Sequence, residues 1–398
     1  MKKIGLVIRL LGNRSGGAER LYCELANWLV QEGYEVHCLY CESGDGKPFY
    51  DIDKKVRMVN LWIPYKSRSI TTKFYDLVAA KDSSSKIMSY FGFLSKHNEF
   101  SKCLGNYIKY NSLDLTISLL PPANTPLLLS KRYHNSKIIV TNHNVPEQDY
   151  ENKNRWSKNP YDILMRKKLL SRADKIHVLF ESFKNWFEPD LSGRITVIEN
   201  YISDSYFSIL PEPEALYQKK RLIAVGRLAD VKNYHVLIES WSKIHLKHPD
   251  WILVIFGKGP DSVKLKDMCQ KLNLGNSVVL AGHTKNIYEE YKKSSILCHP
   301  ALYEGFGLSV AEGLACGLPV VAFSDCEGVN QFVFNDVNGI MCDRSHSNGV
   351  NEFSEALEKL INNKKIYLDL SEKSQSSVKV FSEVKYYEKW KKLIEELI

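Results

Sequence analysis

Short apolar runs of four to eight residues alternate along this chain with longer amphipathic stretches, in two successive series. That alternation is the pattern of α/β architecture, in which each buried parallel strand is followed by a helix that crosses back over the sheet. The first series predicts strands at Ile4–Arg9, Val36–Tyr40, Leu115–Leu119, Lys137–Thr141, Lys175–Leu179 and Thr196–Ile198. The second predicts them at Leu222–Val225, Trp251–Phe256, Ser277–Leu280, Ile296–Cys298, Pro319–Phe323 and Gly339–Cys342. Between the series, Ser203 to Lys220 carries Pro211-Glu212-Pro213 and interrupts both periodicities. Two Rossmann-like, doubly wound domains of similar size are therefore expected, residues 1–202 and 203–379, facing a central cleft outside the carboxyl ends of their strands. The final segment from residue 380 to 398 has the spacing of one amphipathic helix, and it is expected to pack back on the first domain.

The 398 residues suffice for two cores, and the 44% hydrophobic and 25% charged fractions are those of an ordinary globular protein. No apolar run reaches membrane-spanning length, and Lys2-Lys3 followed by Ile4 to Leu11 reads as a first strand rather than a leader, so a cytoplasmic location is expected. Nine cysteines without zinc spacing predict buried free thiols, the Cys38-x-x-Cys41 pair included. Residues 1–200 hold 30 Lys and Arg against 21 Asp and Glu, a net +9, whereas residues 201–398 are at −1. Much of the surplus lies at Asn152–Arg172 and in Tyr65–Tyr110, where Lys66, Arg68, Lys73, Lys81, Lys86, Lys96, Lys102 and Lys109 alternate with Phe74, Tyr75, Tyr90, Phe91 and Phe93. That mixture suits an anionic membrane surface. No nucleic-acid-binding signature accompanies the charge, and no nucleic acid partner is expected. Ser83-Ser84-Ser85 is the single low-complexity tract.

Several motifs fall at predicted strand ends. Tyr303-Glu304-Gly305-Phe306-Gly307-Leu308-Ser309-Val310-Ala311-Glu312 turns from a strand into a helix, and the helix start leaves unpaired N–H groups with the positive end of the dipole behind them. Phosphate binds at such a start, and the two flanking carboxylates suit hydroxyls of a sugar and a ribose. Taken alone, Glu-x7-Glu is more often a feature that merely complements the helix dipole, and its spacing also suits a hydrolase dyad. Gly226-Arg227 with Lys232 follows the first strand of the second series, a planar cation and a mobile one that together suit a diphosphate. Gly16-Gly17 opens a helix bearing Leu21, Leu25 and Leu29, and His143 follows the strand Ile138–Val140 directly. Gly257-Lys258-Gly259 reads mainly as a structural turn.

In this order, Gly16-Gly17-Ala18-Glu19, His143, Val197-Ile198-Glu199-Asn200, Gly226-Arg227-Leu228 with Lys232, Gly257-Lys258-Gly259, Gly282-His283-Thr284 and Glu304-Gly-Phe-Gly-Leu308 with Glu312, the chain resembles the retaining glycosyltransferases of family 4, which have the GT-B fold. The resemblance covers nearly the whole length. It implies that Arg227 and Lys232 hold the diphosphate of a nucleoside diphosphate-sugar, most simply a UDP-sugar, with Gly226 beside them. Glu312 would take the ribose hydroxyls and Glu304 the sugar, while the amides that follow Gly305, those of Phe306, Gly307 and Leu308, meet the sugar and the distal phosphate. Gly16 and Gly17 would close over that phosphate, His143 would lie beside the sugar, and His283 near the base. It further implies hexose transfer to a glycan acceptor with retention, no divalent metal and no other cofactor, in surface polysaccharide or lipopolysaccharide synthesis. With the basic, aromatic first half, a lipid-linked acceptor at the inner membrane face is expected. A nucleotide-sugar epimerase and a non-catalytic nucleotide-sugar-binding protein are the alternatives. Two departures stand out: Glu199-Asn200-Tyr201 replaces a common Pro-Asn-Gly turn, and Asn144 follows His143 where aspartate is frequent.

Overall fold

The computed structural model describes residues 1–14, 16–44, 46–79, 85–208, 210–344 and 349–398. Lys81, Ser83 and Ser84 lie outside the described residues. The chain forms two compact units, Met1–Ile198 with Glu388–Ile398, and Glu199–Tyr387.

The first unit is built on seven strands: β1 (Lys3–Val7), β2 (Glu35–Tyr40), β3 (Arg57–Asn60), β4 (Leu115–Leu119), β5 (Lys137–Thr141), β6 (Lys175–Val178) and β7 (Ile195–Val197), in the order β3-β2-β1-β4-β5-β6-β7. Every neighbouring pair is parallel. β4 sits at the centre and all five of its residues are buried, as expected of a parallel strand covered on both faces. Helices α1 (Gly17–Gln31), α2 (Ile70–Ala79), α3 (Lys86–Asn111) and α4 (Pro121–Ser130) belong to this unit. The second unit contains β8 (Arg221–Val225), β9 (Ile252–Phe256), β10 (Val278–Gly282), β11 (Ile296–His299), β12 (Val320–Phe323) and β13 (Gly339–Cys342), in the order β10-β9-β8-β11-β12-β13 and again all parallel.

In both sheets the winding reverses once, between β1 and β4 and between β8 and β11. Crossovers leave these switch points in opposite directions, so a crevice opens outside the carboxyl ends of the two strands concerned. The twelve strands expected from the sequence are present, to within a few residues at their ends. β3 is additional: it lies at the sheet edge, where Arg57 and Asn60 are exposed and only Met58 and Val59 are partly covered, so its apolar signal is weak.

The units meet the chain at slightly different places from the expected 202/203 and 380. Tyr201 packs against Tyr386 at 4.8 Å and Tyr387 at 5.6 Å between ring centroids, and Ile202 N–H donates to the Phe381 carbonyl at 2.9 Å. The ring that replaces the turn glycine thus anchors residues 199–202 in the second unit. The Glu383–Leu397 helix enters the first unit only from Glu388. There Trp390 lies 5.2 Å from the His177 ring, and Lys391 pairs with Glu32 at 2.7 Å. All nine cysteines are free thiols, with Cys103 and Cys269 partly exposed and the others buried. Burial pushes the Cys38 thiol up to about 12, the behaviour of a packed strand residue rather than a reactive one.

Candidate active site

Four groups converge where the second sheet reverses. β8 ends at Val225, and the turn beyond it carries Gly226 and Arg227 and runs through Lys232 into the Tyr234–Ile244 helix. β11 ends at His299, and the turn after it carries Glu304. Two bonds tie the turns together: Leu302 N–H donates to the Val231 carbonyl at 2.9 Å, and the Asn233 amide to the Pro300 carbonyl at 3.1 Å. Asn233 adopts the left-handed conformation, with φ +55°, which asparagine tolerates better than most residues. A Cβ at Gly257 would strike the Gly226 carbonyl, so that glycine keeps the turn after β8 seated, in agreement with a structural role.

The Lys232 ammonium forms an ion pair with Glu304, and each side chain is 17% exposed. His299 Nε2, on a nearly buried ring, lies 3.3 Å from the same carboxylate oxygen, Oε1. Burial alone would raise the Glu304 pKa, but the Lys232 charge and His299 outweigh it and hold the carboxyl down at about 2. Burial lowers the His299 pKa despite the opposing pull of Glu304, which favours a neutral ring. Tyr234, buried beside Gly226 with its phenol 2.7 Å from where a Gly226 Cβ would stand, is pushed well up by burial and by the Glu304 charge. The cluster is thus one ionised carboxylate, one cation already engaged with it, and neutral rings. Arg227 differs: its side chain is exposed and makes no hydrogen bond or ion pair with another described residue.

The glycine turn before the Leu308–Ala315 helix is arranged with Phe306 turned inward, its ring 5.4 Å from Phe332 and 5.0 Å from Phe381. Gly305 and Gly307 are buried as well. Gly307 caps the helix with φ +87°, a conformation that favours glycine, and its carbonyl accepts from the Val310 and Ala311 N–H groups. That leaves the Leu308 end of the helix as a start whose first amides have no intrahelical acceptor. One turn further on, Glu312 is only 5% exposed, with Oε2 3.5 Å from the Tyr291 hydroxyl, which donates to the Ser309 carbonyl at 3.0 Å. His283 is exposed just after β10.

In the first unit, Gly16 caps α1 through backbone alone, and both Gly16 and Gly17 are exposed after β1. His143 follows β5, one strand from the switch point. Its Nδ1 is buried without a hydrogen-bond partner, its ring lies 5.5 Å from His177, and burial with the His177 ring alongside pushes its pKa down to about 3. The preceding Asn142 is fixed from two sides: its carbonyl oxygen accepts from the Tyr150 hydroxyl at 2.6 Å, and its amide donates to the His177 carbonyl at 3.0 Å. His143 is therefore placed through the backbone of a pinned neighbour. Leu120, immediately after β4, has φ +70° and ψ 152°, backbone space that belongs almost entirely to glycine.

Lys232, Glu304 and Gly226 are thus brought together, with Arg227 next in the chain, and Gly16, Gly17 and His143 fall at strand ends of the first sheet. Sequence reasoning missed His299, Tyr234 and Leu120. His299 carries a readable signal, a histidine at the end of an apolar run.

Two parallel sheets, each reversing once, have the GT-B architecture of solved glycosyltransferases. The chain belongs to glycosyltransferase family 4: residues 15–206 match Glycosyltransferase Family 4 and residues 209–377 match Glycosyl transferases group 1. An uncharacterized glycosyltransferase of Haemophilus influenzae is 30% identical over 399 residues, covering 99% of this chain and 100% of that one. The N-acetylgalactosamine-N,N'-diacetylbacillosaminyl-diphospho-undecaprenol 4-alpha-N-acetylgalactosaminyltransferase of Campylobacter jejuni is 25% identical over 97% of both chains. Among solved structures, S. aureus TarM in complex with fondaparinux, α-GlcNAc-glycerol and UDP superimposes with a TM-score of 0.74 over 99% of both chains, at 15% identity.

Proposed function

We propose that this glycosyltransferase moves a hexose or modified hexose from a UDP-sugar to a hydroxyl of a lipid-linked glycan, with retention, in the synthesis of a bacterial surface polysaccharide or lipopolysaccharide. The observation that carries it is the uncommitted Arg227 guanidinium next to the Lys232–Glu304–His299 cluster at a switch point. Arg227 takes the diphosphate, Lys232 shares its charge between phosphate and Glu304, and the Leu308 helix start faces the distal phosphate. Glu304 accepts from the sugar, Glu312 from the ribose and His283 lies near the base, while Gly16 and Gly17 approach the phosphate and His143 the sugar. The anomeric C–O bond to the diphosphate breaks, the acceptor oxygen bonds to the same face, and the acceptor's proton passes to the leaving phosphate oxygen. Arg227, Lys232 and the helix dipole stabilise the departing charge, the task a divalent metal performs elsewhere, so no metal is required.

Two names support the partners. The S. aureus structure holds UDP, and the Campylobacter enzyme is named for an undecaprenol diphosphate-linked acceptor. No helix among the described residues is long and apolar enough to cross a membrane. The enzyme is accordingly proposed to work peripherally at the anionic cytoplasmic face of the inner membrane. The test is a panel of UDP-sugars with and without undecaprenyl diphosphate-linked saccharides. UDP release that depends on the saccharide is expected; an epimerised donor, or binding without release, would overturn transfer.

A further inference from the structure

Helix α2 is turned inside out. Water-exposed helices of globular proteins bury their apolar stripe and present the polar one. In α2 two polar side chains, Thr72 and Asp76, face inward: Thr72 is fully buried and accepts from the Asn98 amide of α3 at 2.8 Å. Asp76 accepts from the Ser95 hydroxyl of α3 at 2.5 Å and pairs with Arg68 at 3.1 Å. Ser69, just before the helix, donates to Glu99 of α3 at 3.1 Å. The opposite face carries Ile70, Phe74 and Leu77, at i, i+4 and i+7, with exposures of 85%, 53% and 61%. The strip continues onto α3: Phe74 meets Phe91 at 5.9 Å, Phe91 meets Tyr90 at 5.6 Å, and Ile87, one turn before, is 67% exposed. Apolar side chains scattered singly need no explanation, but a contiguous strip on two helices does.

The rim of the strip is cationic. Lys66 and Lys86 are exposed and pair with no acid among the described residues. So is Lys158, whose neighbour Asn159 donates to the Ser89 carbonyl of α3 at 2.8 Å. Lys73 donates to the Lys66 carbonyl rather than to an acid. The one acid on α2, Asp76, is directed inward and already neutralised by Arg68. An outward apolar ridge bordered by unpaired lysines complements one medium in particular, an acyl interior beneath an anionic headgroup layer.

We infer that α2 and the start of α3 form a membrane-docking ridge, in which Ile70, Phe74, Leu77 and Ile87 enter the acyl boundary of an anionic bilayer while Lys66, Lys86 and Lys158 engage its headgroups. The occupant rests on the lipid-linked acceptor proposed above; the inverted helix stands apart from it. Flotation of the purified full chain with vesicles tests it. Binding to vesicles containing phosphatidylglycerol is expected at least tenfold tighter than to pure phosphatidylcholine, and weaker at high salt. Ile70→Ser with Leu77→Ser, at positions already in water, should lower it about tenfold or more, and Lys66→Ser with Lys86→Ser should lower it and flatten the salt dependence. Equal flotation of wild type and the apolar variant, or a dimer that the variant converts to monomer, would overturn the docking ridge. UDP-induced thermal stabilisation, measured on the same samples, should persist in both variants. If flotation follows the ridge while UDP stabilises nothing, docking stands and the transfer proposal fails; if UDP stabilises and no vesicle binds, the reverse holds.

Discussion

After β8 and β11 the second unit gathers Arg227, Lys232, Glu304 and a buried His299, whereas after β1, β4 and β5 the first unit presents Gly16, Gly17, Leu120 and a neutral His143. The two sheets share a winding pattern, yet one edge works with paired ions and the other with bare backbone and an uncharged ring. Fold alone therefore does not decide where charge is held. In the second unit it is decided by two turns bonded to each other, which keep a carboxylate, a lysine and a histidine in contact. In the first, Asn142 is pinned by Tyr150 and the His177 carbonyl, so the chain fixes position there without fixing charge.

The sharpest way to break this contrast is Arg227→Ala. Losing a transition-state charge contact is expected to cost about a hundredfold or more in kcat/KM, measured as UDP release. If turnover stays within about threefold of wild type, the ionic edge is not the reactive one. Lys232→Met should cost about tenfold to a hundredfold, because it removes one cation and also strands the partly buried Glu304 carboxylate. Its second signature is thermal stability against pH. Glu304 titrates at about 2 in the folded chain against an ordinary value of 4.5, so its contribution is complete above 4.5 and fades as pH falls toward 2. Without Lys232 the folded-state pKa of Glu304 rises, so that window should narrow and less stability should be lost between pH 4.5 and 2.

Glu312→Gln is smaller and different in kind. Removing a ribose acceptor should raise KM for the donor about tenfold with kcat little changed, and an equal fall in kcat would reassign it to the reacting centre. The smallest effect is expected from His143→Gln in the first unit. Burial holds that ring neutral down to about 3 against an ordinary 6.5, so its stabilisation is complete above 6.5 and fades as pH falls toward 3. The variant should lose that window of acid sensitivity in a melting series and leave the activity profile between pH 6.5 and 8 unchanged in shape. A shifted limb there would show that His143 does carry a proton.

The strands were legible because parallel strands buried on both faces are nearly continuous apolar runs, which the sequence displays directly. β3 escaped for the converse reason, being a half-wet edge. Of the site, Gly226, Lys232 and Glu304 were legible as residue types at strand ends. The pairing of Lys232 with Glu304 was not, because 71 intervening residues separate partners that only the sheet order makes neighbours. Leu120 has no signature in the sequence, since nothing in its own chemistry announces a glycine-like backbone. The face of α2 that packs was hidden for a similar reason: its apolar and polar residues are both plain in the sequence, and only the contacts with α3 show that Thr72 and Asp76 are inside.

The eleven residues from Glu388 to Ile398 have a consequence for how the protein is made. Translation delivers nearly all of the first unit before any of the second, yet Trp390 and Lys391, which cover His177 and Glu32, are synthesised only after the second unit is complete. The unit that leaves the ribosome first is thus finished last, and a nascent chain must carry it with that patch open for the whole time the other half is being built.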